Sequence, residues 1–150
     1  MRVVLDRNLR IPPTSRLAST ARRHPVLVCT TTRAMDANPK AVKMMQGKGV
    51  ELVTGPDSPD NRNLRPLLER LSDRGVQQVV VEGGAKVIAS FLQEGLADEV
   101  CIYVAPTVLG GHGAADLGAA LTCLPSHLRL HQIEVKRVGE DVRIKGLVHP

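Results

Sequence analysis

The stretch VVVEGGAKVIA at residues 79–89 constrains the fold of this chain more than any other part of it. An apolar, β-branched run leads into Glu82 and the pair Gly83 and Gly84, and apolar residues then recur at helical spacing. This order predicts a strand, a tight turn and a helix. Main-chain N–H groups at a helix N-terminus carry partial positive charge, and glycine lets a ligand approach them, so the turn suits a phosphate group. Glycines also occupy such turns for steric reasons alone, and the pair by itself leaves both interpretations open.

Strand and helix patterns alternate along the first part of the chain. Apolar runs rich in β-branched residues predict strands at residues 2–5, 26–29, 50–53 and 76–81. Helical spacing predicts helices at residues 39–45, 64–71 and 85–93. Expected caps of the second helix are Asn61 or Asn63 at its start and Arg74-Gly75 at its end. This alternation predicts βαβ units with parallel pairing, and the last strand has the continuous apolar character of one covered on both faces.

The pattern changes in the last third of the chain. A strand is predicted at residues 99–105 and a glycine-rich loop at 106–113, and the runs at 128–138 and 141–148 predict a hairpin. The predicted fold class is therefore α/β, a three-layer mixed sheet flanked by helices with a C-terminal antiparallel hairpin. With 150 residues and no evident linker, the chain is expected to form a single domain.

Composition narrows the class of ligand. The chain has one Phe, one Tyr and no Trp, which argues against a nucleic-acid platform built on stacked aromatic rings. Its net charge of +5 arises from twenty basic residues scattered among fifteen acidic ones. A mildly basic surface without a basic run fits a small phosphorylated ligand better than DNA, and we expect no nucleic-acid partner.

Neither a metal site nor a disulfide framework is expected. The three cysteines are widely spaced and form no Cys-x-x-Cys motif, and the five histidines lack metal-ligand spacing. These residues are Cys29, Cys101, Cys123, His24, His112, His127, His131 and His149. No run reaches the length of a membrane span and the N-terminus lacks a signal-peptide pattern, so we expect a cytoplasmic protein that does not bind membranes.

Two longer motifs point to a family. The passages VVVEGGAKVIASFLQEGLADEVCIYVAPTVLGG and RVVLDRNLRIP resemble the C-terminal reductase domain of the bifunctional riboflavin biosynthesis deaminase–reductase, and the resemblance covers nearly the whole chain. It implies a dihydrofolate reductase-like fold and a homodimer. It also implies NADPH-dependent reduction of 5-amino-6-(5-phosphoribosylamino)uracil, in which the ribosyl side chain becomes a ribityl chain.

The resemblance gives the turn at residues 82–87 a specific function. It implies that Glu82 contacts the pyrimidine substrate. The phosphates of the cofactor would be held by the backbone amides of Gly83, Gly84, Ala85, Lys86 and Val87. The alternative for Glu82 is a carboxylate that caps the helix or interacts with its dipole. No residue is identified as a general acid, so the catalytic residue stays unassigned.

Other strand ends supply further candidates. Arg7, Thr30 and Thr31 follow the first two predicted strands, and the carboxyl ends of parallel strands meet at one edge of a sheet. With NADPH as cofactor, the guanidinium and hydroxyl groups match the oxygens of its 2′-phosphate. A solvated arginine and turn or helix-cap threonines are the alternatives. The predicted glycine-rich loop adds Thr107, Gly110 and Gly111, which could contact the ligand from the opposite side of this edge. The alternative is that these residues form only a flexible connection.

The sequence departs from the family pattern at its beginning. A complete reductase domain of the family has an opening strand, a Ser/Asp-Gly substrate loop and a loop with an Asp-Asp-Pro motif before the VVLD segment, and we expect this chain to lack them. The remaining strands would then have unpaired edges. Two alternatives to a riboflavin-pathway reductase therefore stay open: a nucleotide-binding remnant without catalysis, and a reductase of the same fold that acts on another pyrimidine or pteridine.

Overall fold

The computed structural model describes residues 1–55, 63–108 and 128–149. The chain divides into two compact units, Met1–Gln77 and Gln78–Pro150. Each unit carries its own three-stranded sheet. That the whole chain forms a single domain stays a prediction.

The first unit is built on a parallel sheet of three strands, in the order β1 (Arg2–Leu5), β2 (Val26–Thr30) and β3 (Val50–Thr54). The strands predicted at residues 2–5, 26–29 and 50–53 are confirmed. The helices of this unit are α1 (Arg16–Ser19), α2 (Thr32–Ala37), α3 (Pro39–Gly47) and α4 (Arg65–Ser72). Of these, α3 and α4 were predicted, whereas α1 and α2 are too short, at four and six residues, to show a helical period in the sequence.

The central strand β2 explains why this unit has three layers. Side chains along a strand alternate between the two faces of a sheet. Val26 and Val28 are buried on one face in a cluster with Met45 of α3, whereas Leu27 is buried on the other face with residues of α4. Helices therefore cover both faces of the parallel sheet, as its continuously apolar central strand requires.

Of the two predicted ends of α4, the structure confirms only the C-terminal one. Leu64 occupies the N-cap position, so the prediction that Asn63 caps this helix is wrong, and Asn61 lies outside the described residues. Asn63 stands one residue too early and has a left-handed backbone with φ +85°. The C-terminal signal is confirmed, because Gly75 has φ +79°, a conformation that glycine adopts without steric cost.

The apolar run at residues 76–81 is not a strand in the structure, contrary to the sequence prediction. Val80 is 74% exposed, and neither sheet among the described residues includes this segment. An apolar, β-branched run supplies only the preference for extended backbone, whereas a strand also needs a neighbour with which to exchange hydrogen bonds. The helix predicted after the turn is confirmed as α5 (Ala85–Gln93), which buries Ala89 and Phe91.

The second unit contains an antiparallel sheet in the order β4-β6-β5, formed by β4 (Glu99–Val104), β5 (His131–Val138) and β6 (Asp141–Leu147). The predicted hairpin joins β5 to β6 at Gly139, which has φ +62°. The predicted fold class is thus confirmed: α/β, with parallel and antiparallel sheets and a C-terminal antiparallel hairpin. Within the described ranges, no helix is long and apolar enough to cross a membrane.

Candidate functional site

A crevice opens at the edge of the parallel sheet where β1, β2 and β3 end. We call it the strand-end crevice. Its lining residues are Leu5, Arg7, Cys29, Thr30, Thr31, Gly55 and Leu64. Parallel strands bring their carboxyl ends to the same edge, and ligands of α/β proteins bind there. The structure therefore brings together Arg7, Thr30 and Thr31, the three candidates that the sequence placed at strand ends.

A tight loop after β1 carries Arg7. The carboxylate of Asp6 is buried, with 6% of the residue exposed, and its Oδ2 atom accepts a hydrogen bond from the Ile11 N–H at 2.7 Å. The Asp6 carbonyl accepts a second bond from the Leu9 N–H at 3.0 Å, and Leu9 has φ +50°, which is uncommon for a residue with a side chain. The loop therefore has a defined path that is anchored on Asp6.

The two threonines after β2 make hydrogen bonds to this loop. The hydroxyls of Thr30 and Thr31 each donate to the main-chain carbonyl of Arg7, with an O···O distance of 3.2 Å in both cases. The Thr31 hydroxyl also accepts a hydrogen bond from the Ala34 N–H at 3.1 Å and so caps the N-terminus of α2. The helix-cap alternative is confirmed for Thr31.

Gly55 and Cys29 form part of the crevice that sequence reasoning missed. A Cβ atom at Gly55 would lie only 2.6 Å from the Cys29 Sγ, so a side chain at this position would displace the thiol. Burial raises the pKa of Cys29, and the nearby positive charge of Arg70 opposes this shift. The thiol is therefore neutral at physiological pH. The only signal in the sequence was a glycine two residues after the strand predicted at 50–53.

In the second unit, the glycine turn leads directly into α5. Gly84 is the N-cap residue, and no side chain forms a capping hydrogen bond from that position. A Cβ atom at Gly84 would meet no atom within 4 Å, whereas one at Gly83 would lie 3.0 Å from the Val87 Cβ. Gly83 is thus needed for close packing, and Gly84 leaves the helix N-terminus open to a ligand. Glu82, directly before the turn, is exposed.

The structure describes only some of the other residues that were singled out in the sequence. Thr107 is exposed at the end of the described part of its loop, and Gly110, Gly111, His112, Cys123 and His127 lie outside the described residues. Cys29 and Cys101 are free thiols. In the part of the chain that the structure describes, no three His, Cys, Asp or Glu side chains form a group suited to a metal ion.

The fold and the crevice define a class of protein: an α/β protein with a crevice at the carboxyl ends of its parallel strands, the edge at which proteins of this class bind ligands. Comparison with known proteins makes the assignment more specific. The chain belongs to the RibD C-terminal domain family, whose family model matches residues 1–144.

Individual relatives agree with this assignment. The riboflavin biosynthesis protein RibD of Aquifex aeolicus is 30% identical over 145 residues, which are 96% of this chain and 37% of that protein. The 2,5-diamino-6-ribosylamino-4(3H)-pyrimidinone 5′-phosphate reductase of Methanothermobacter thermautotrophicus is 30% identical over 150 residues, 99% of this chain and 66% of that protein. The form 2 structure of Acinetobacter baumannii RibD superimposes with a TM-score of 0.74 at 30% identity, covering 97% of this chain and 37% of that chain. The chain thus spans less than two thirds of each of these relatives.

Proposed function

We propose that this protein is an NADPH-dependent reductase of riboflavin biosynthesis that converts 5-amino-6-(5-phosphoribosylamino)uracil to its ribitylamino product. The observation that carries this proposal is the family match over residues 1–144, because relatives that cover nearly all of this chain include a named reductase of a ribosylaminopyrimidine phosphate. The described residues also offer two places whose chemistry suits a phosphorylated cofactor.

The turn before α5 suits the phosphates of a dinucleotide. Gly84 leaves the helix N-terminus without a side-chain cap and in open space, so an anion can approach the first N–H groups of the helix. Lys86, in the first turn of α5, is exposed and adds positive charge. We assign the cofactor's phosphates to the backbone amides of Gly83, Gly84, Ala85 and Lys86. The Val87 N–H, which the sequence predicted as a fifth donor, instead donates to the Gly84 carbonyl at 2.9 Å.

The strand-end crevice suits the 2′-phosphate that distinguishes NADPH from NADH. Arg7 lines the crevice, and a guanidinium group can donate two parallel hydrogen bonds to phosphate oxygens. Thr30 and Thr31 lie beside it. We assign this group of residues to recognition of the adenosine end of the cofactor.

Glu82 is the residue that we assign to the pyrimidine substrate. Its carboxylate is exposed directly before the glycine turn, and a carboxylate accepts hydrogen bonds from the N–H groups of a pyrimidine ring. The reduced nicotinamide would supply a hydride to C1′ of the sugar in its open, imine form. The imine nitrogen must gain a proton in the same reaction, and we assign no general acid among the described residues. The chain's own contribution is to bind and orient the two reactants.

A second substrate is favoured by the name of one relative. The Methanothermobacter thermautotrophicus protein is named for 2,5-diamino-6-ribosylamino-4(3H)-pyrimidinone 5′-phosphate, which carries an amino group where the uracil compound has a ring carbonyl. Both substrates have the same ribosylamino phosphate side chain, so the same hydride transfer would reduce either of them.

We further propose that the protein is a cytoplasmic homodimer. Light scattering that shows only a folded monomer would reject the dimer.

Binding of the cofactor is the first expected result. Titration of the purified protein with NADPH should enhance the fluorescence of the reduced nicotinamide in a saturable manner, and more strongly than titration with NADH. Because the chain has no Trp, energy transfer from indole does not complicate the signal. A folded protein that binds neither cofactor would contradict the proposal. Binding without any turnover would instead support a nucleotide-binding protein that has no catalytic activity.

A further inference from the structure

We infer that Thr30 is a positioning residue that holds the main chain of Arg7 and sets cofactor preference through that arginine, without touching the cofactor itself. This inference rests on the proposed function, since it concerns how the strand-end crevice recognises the 2′-phosphate. Arg7 would bind the phosphate and Thr30 would position Arg7, whereas the sequence alone grouped both residues as phosphate ligands.

Burial is the first reason. Thr30 is 2% exposed and is among the most fully buried side chains of the described residues, at the end of the central strand β2. A ligand in the crevice therefore has almost no access to its hydroxyl. A buried hydroxyl nonetheless needs a hydrogen-bond partner, and the Arg7 carbonyl provides it at 3.2 Å.

The direction of the hydrogen bond is the second reason. A threonine hydroxyl has one hydrogen, and in Thr30 and in Thr31 it is donated to the Arg7 carbonyl, whose two lone pairs can accept both bonds. Phosphate oxygens at neutral pH are mainly acceptors and need a donor. While the threonines hold Arg7, they have no hydroxyl hydrogen left for a phosphate.

The position of Arg7 is the third reason. The Asp6 N–H donates to the Cys29 carbonyl at 2.9 Å, and the carbonyl of Arg7 accepts from the threonines. The main chain is thus fixed on both sides of the Arg7 Cα, in a loop that leaves the sheet just after β1. Fixing the backbone in advance lowers the entropy lost when the guanidinium binds an anion.

The test uses the isosteric variant Thr30→Val, with Thr30→Ser to retain the hydroxyl. Thr30→Val should lower the preference for NADPH over NADH roughly three- to tenfold, the effect of about one net hydrogen bond, with Thr30→Ser close to the original protein. The matched control is Thr54→Val, because Thr54 is exposed on β3 directly opposite Thr30 in the ladder. In an Arg7→Ala background, Thr30→Val should cause no further loss.

Several results would overturn the inference. If Thr30→Val reduces the preference as much in the Arg7→Ala background as alone, Thr30 contacts the cofactor directly. If Thr30→Val leaves the preference unchanged while the original protein prefers NADPH, Thr30 has no such role. An original protein that binds no NADPH would instead contradict the proposed function.

Trypsin cleavage tests the contact with Arg7 independently of the cofactor. Cleavage after Arg7, monitored by mass spectrometry, should be faster in Thr30→Val than in Thr30→Ser, while cleavage after Arg23 on the exposed turn before β2 should stay the same. Equal rates after Arg7 in the two variants would overturn the inference whether or not the protein binds NADPH.

Discussion

Replacing Glu82 by glutamine is expected to lower kcat/KM for the ribosylaminopyrimidine phosphate roughly 100-fold, which is the scale for losing a charge-assisted hydrogen bond and mismatching its partner. The amide has nearly the same shape, but it offers N–H donors where the carboxylate offered only acceptors. Glu82 lies directly before the open helix N-terminus, where we assign the cofactor's phosphates. The dissociation constant for NADPH should change by less than about threefold, as expected for a residue that contacts the substrate alone.

The control for this variant is Glu140→Gln. Glu140 is an exposed carboxylate in the turn between β5 and β6, and its replacement changes the net charge by the same amount. It should leave both kcat/KM and cofactor affinity unchanged. Unaltered turnover in Glu82→Gln would show that our substrate assignment is wrong. A loss of cofactor affinity with little change in kcat would indicate the alternative in which Glu82 interacts with the helix dipole and not with the substrate.

Replacing Arg7 by alanine is expected to reduce the preference for NADPH over NADH by roughly 10- to 100-fold, because hydrogen bonds between charged groups are the strongest that a side chain makes to a phosphate. The affinity for NADH should change little, since NADH has no phosphate at the 2′ position. Arg7→Lys should keep part of the preference, because an ammonium group retains the charge but not the planar pair of donors. Titrations of the variants with both cofactors measure these ratios directly.

Arg23→Ala is the matched control for this effect. Arg23 is exposed in the turn that precedes β2, and therefore lies at the amino end of the strand whose carboxyl end borders the strand-end crevice. Its removal should not change cofactor preference. If Arg7→Ala and Arg23→Ala behave alike, the effect is one of overall charge, and the assignment of Arg7 to the 2′-phosphate is wrong.

The parallel sheet could be predicted from the sequence because each of its strands is marked by a short, contiguous stretch of residues. β1, β2 and β3 are apolar runs that end at polar or glycine residues, and α4 repeats leucine at helical spacing before Gly75. The segment at 76–81 has the same local signals, yet it is not paired with any strand in the described residues. Whether a strand forms depends on a neighbour, and an apolar run does not reveal one.

The candidate site could be predicted only as residue types at strand ends. The sequence placed Arg7, Thr30 and Thr31 at one edge of a sheet, and the structure brings them together in one crevice. The hydrogen bonds from the threonines to the Arg7 carbonyl join residues more than twenty positions apart, and no spacing rule encodes them. The close approach of Gly55 to Cys29 has the same long-range origin.

Turnover by the protein itself is the most direct test of the proposed reductase. Purified protein is incubated with NADPH and 5-amino-6-(5-phosphoribosylamino)uracil, and in parallel with the 2,5-diaminopyrimidinone phosphate. Oxidation of the cofactor is followed by absorbance and the product by mass spectrometry. We expect oxidation that depends on one of these substrates, with a product heavier by two hydrogen atoms in the sugar side chain. A folded protein that binds NADPH but reduces neither compound would contradict the account.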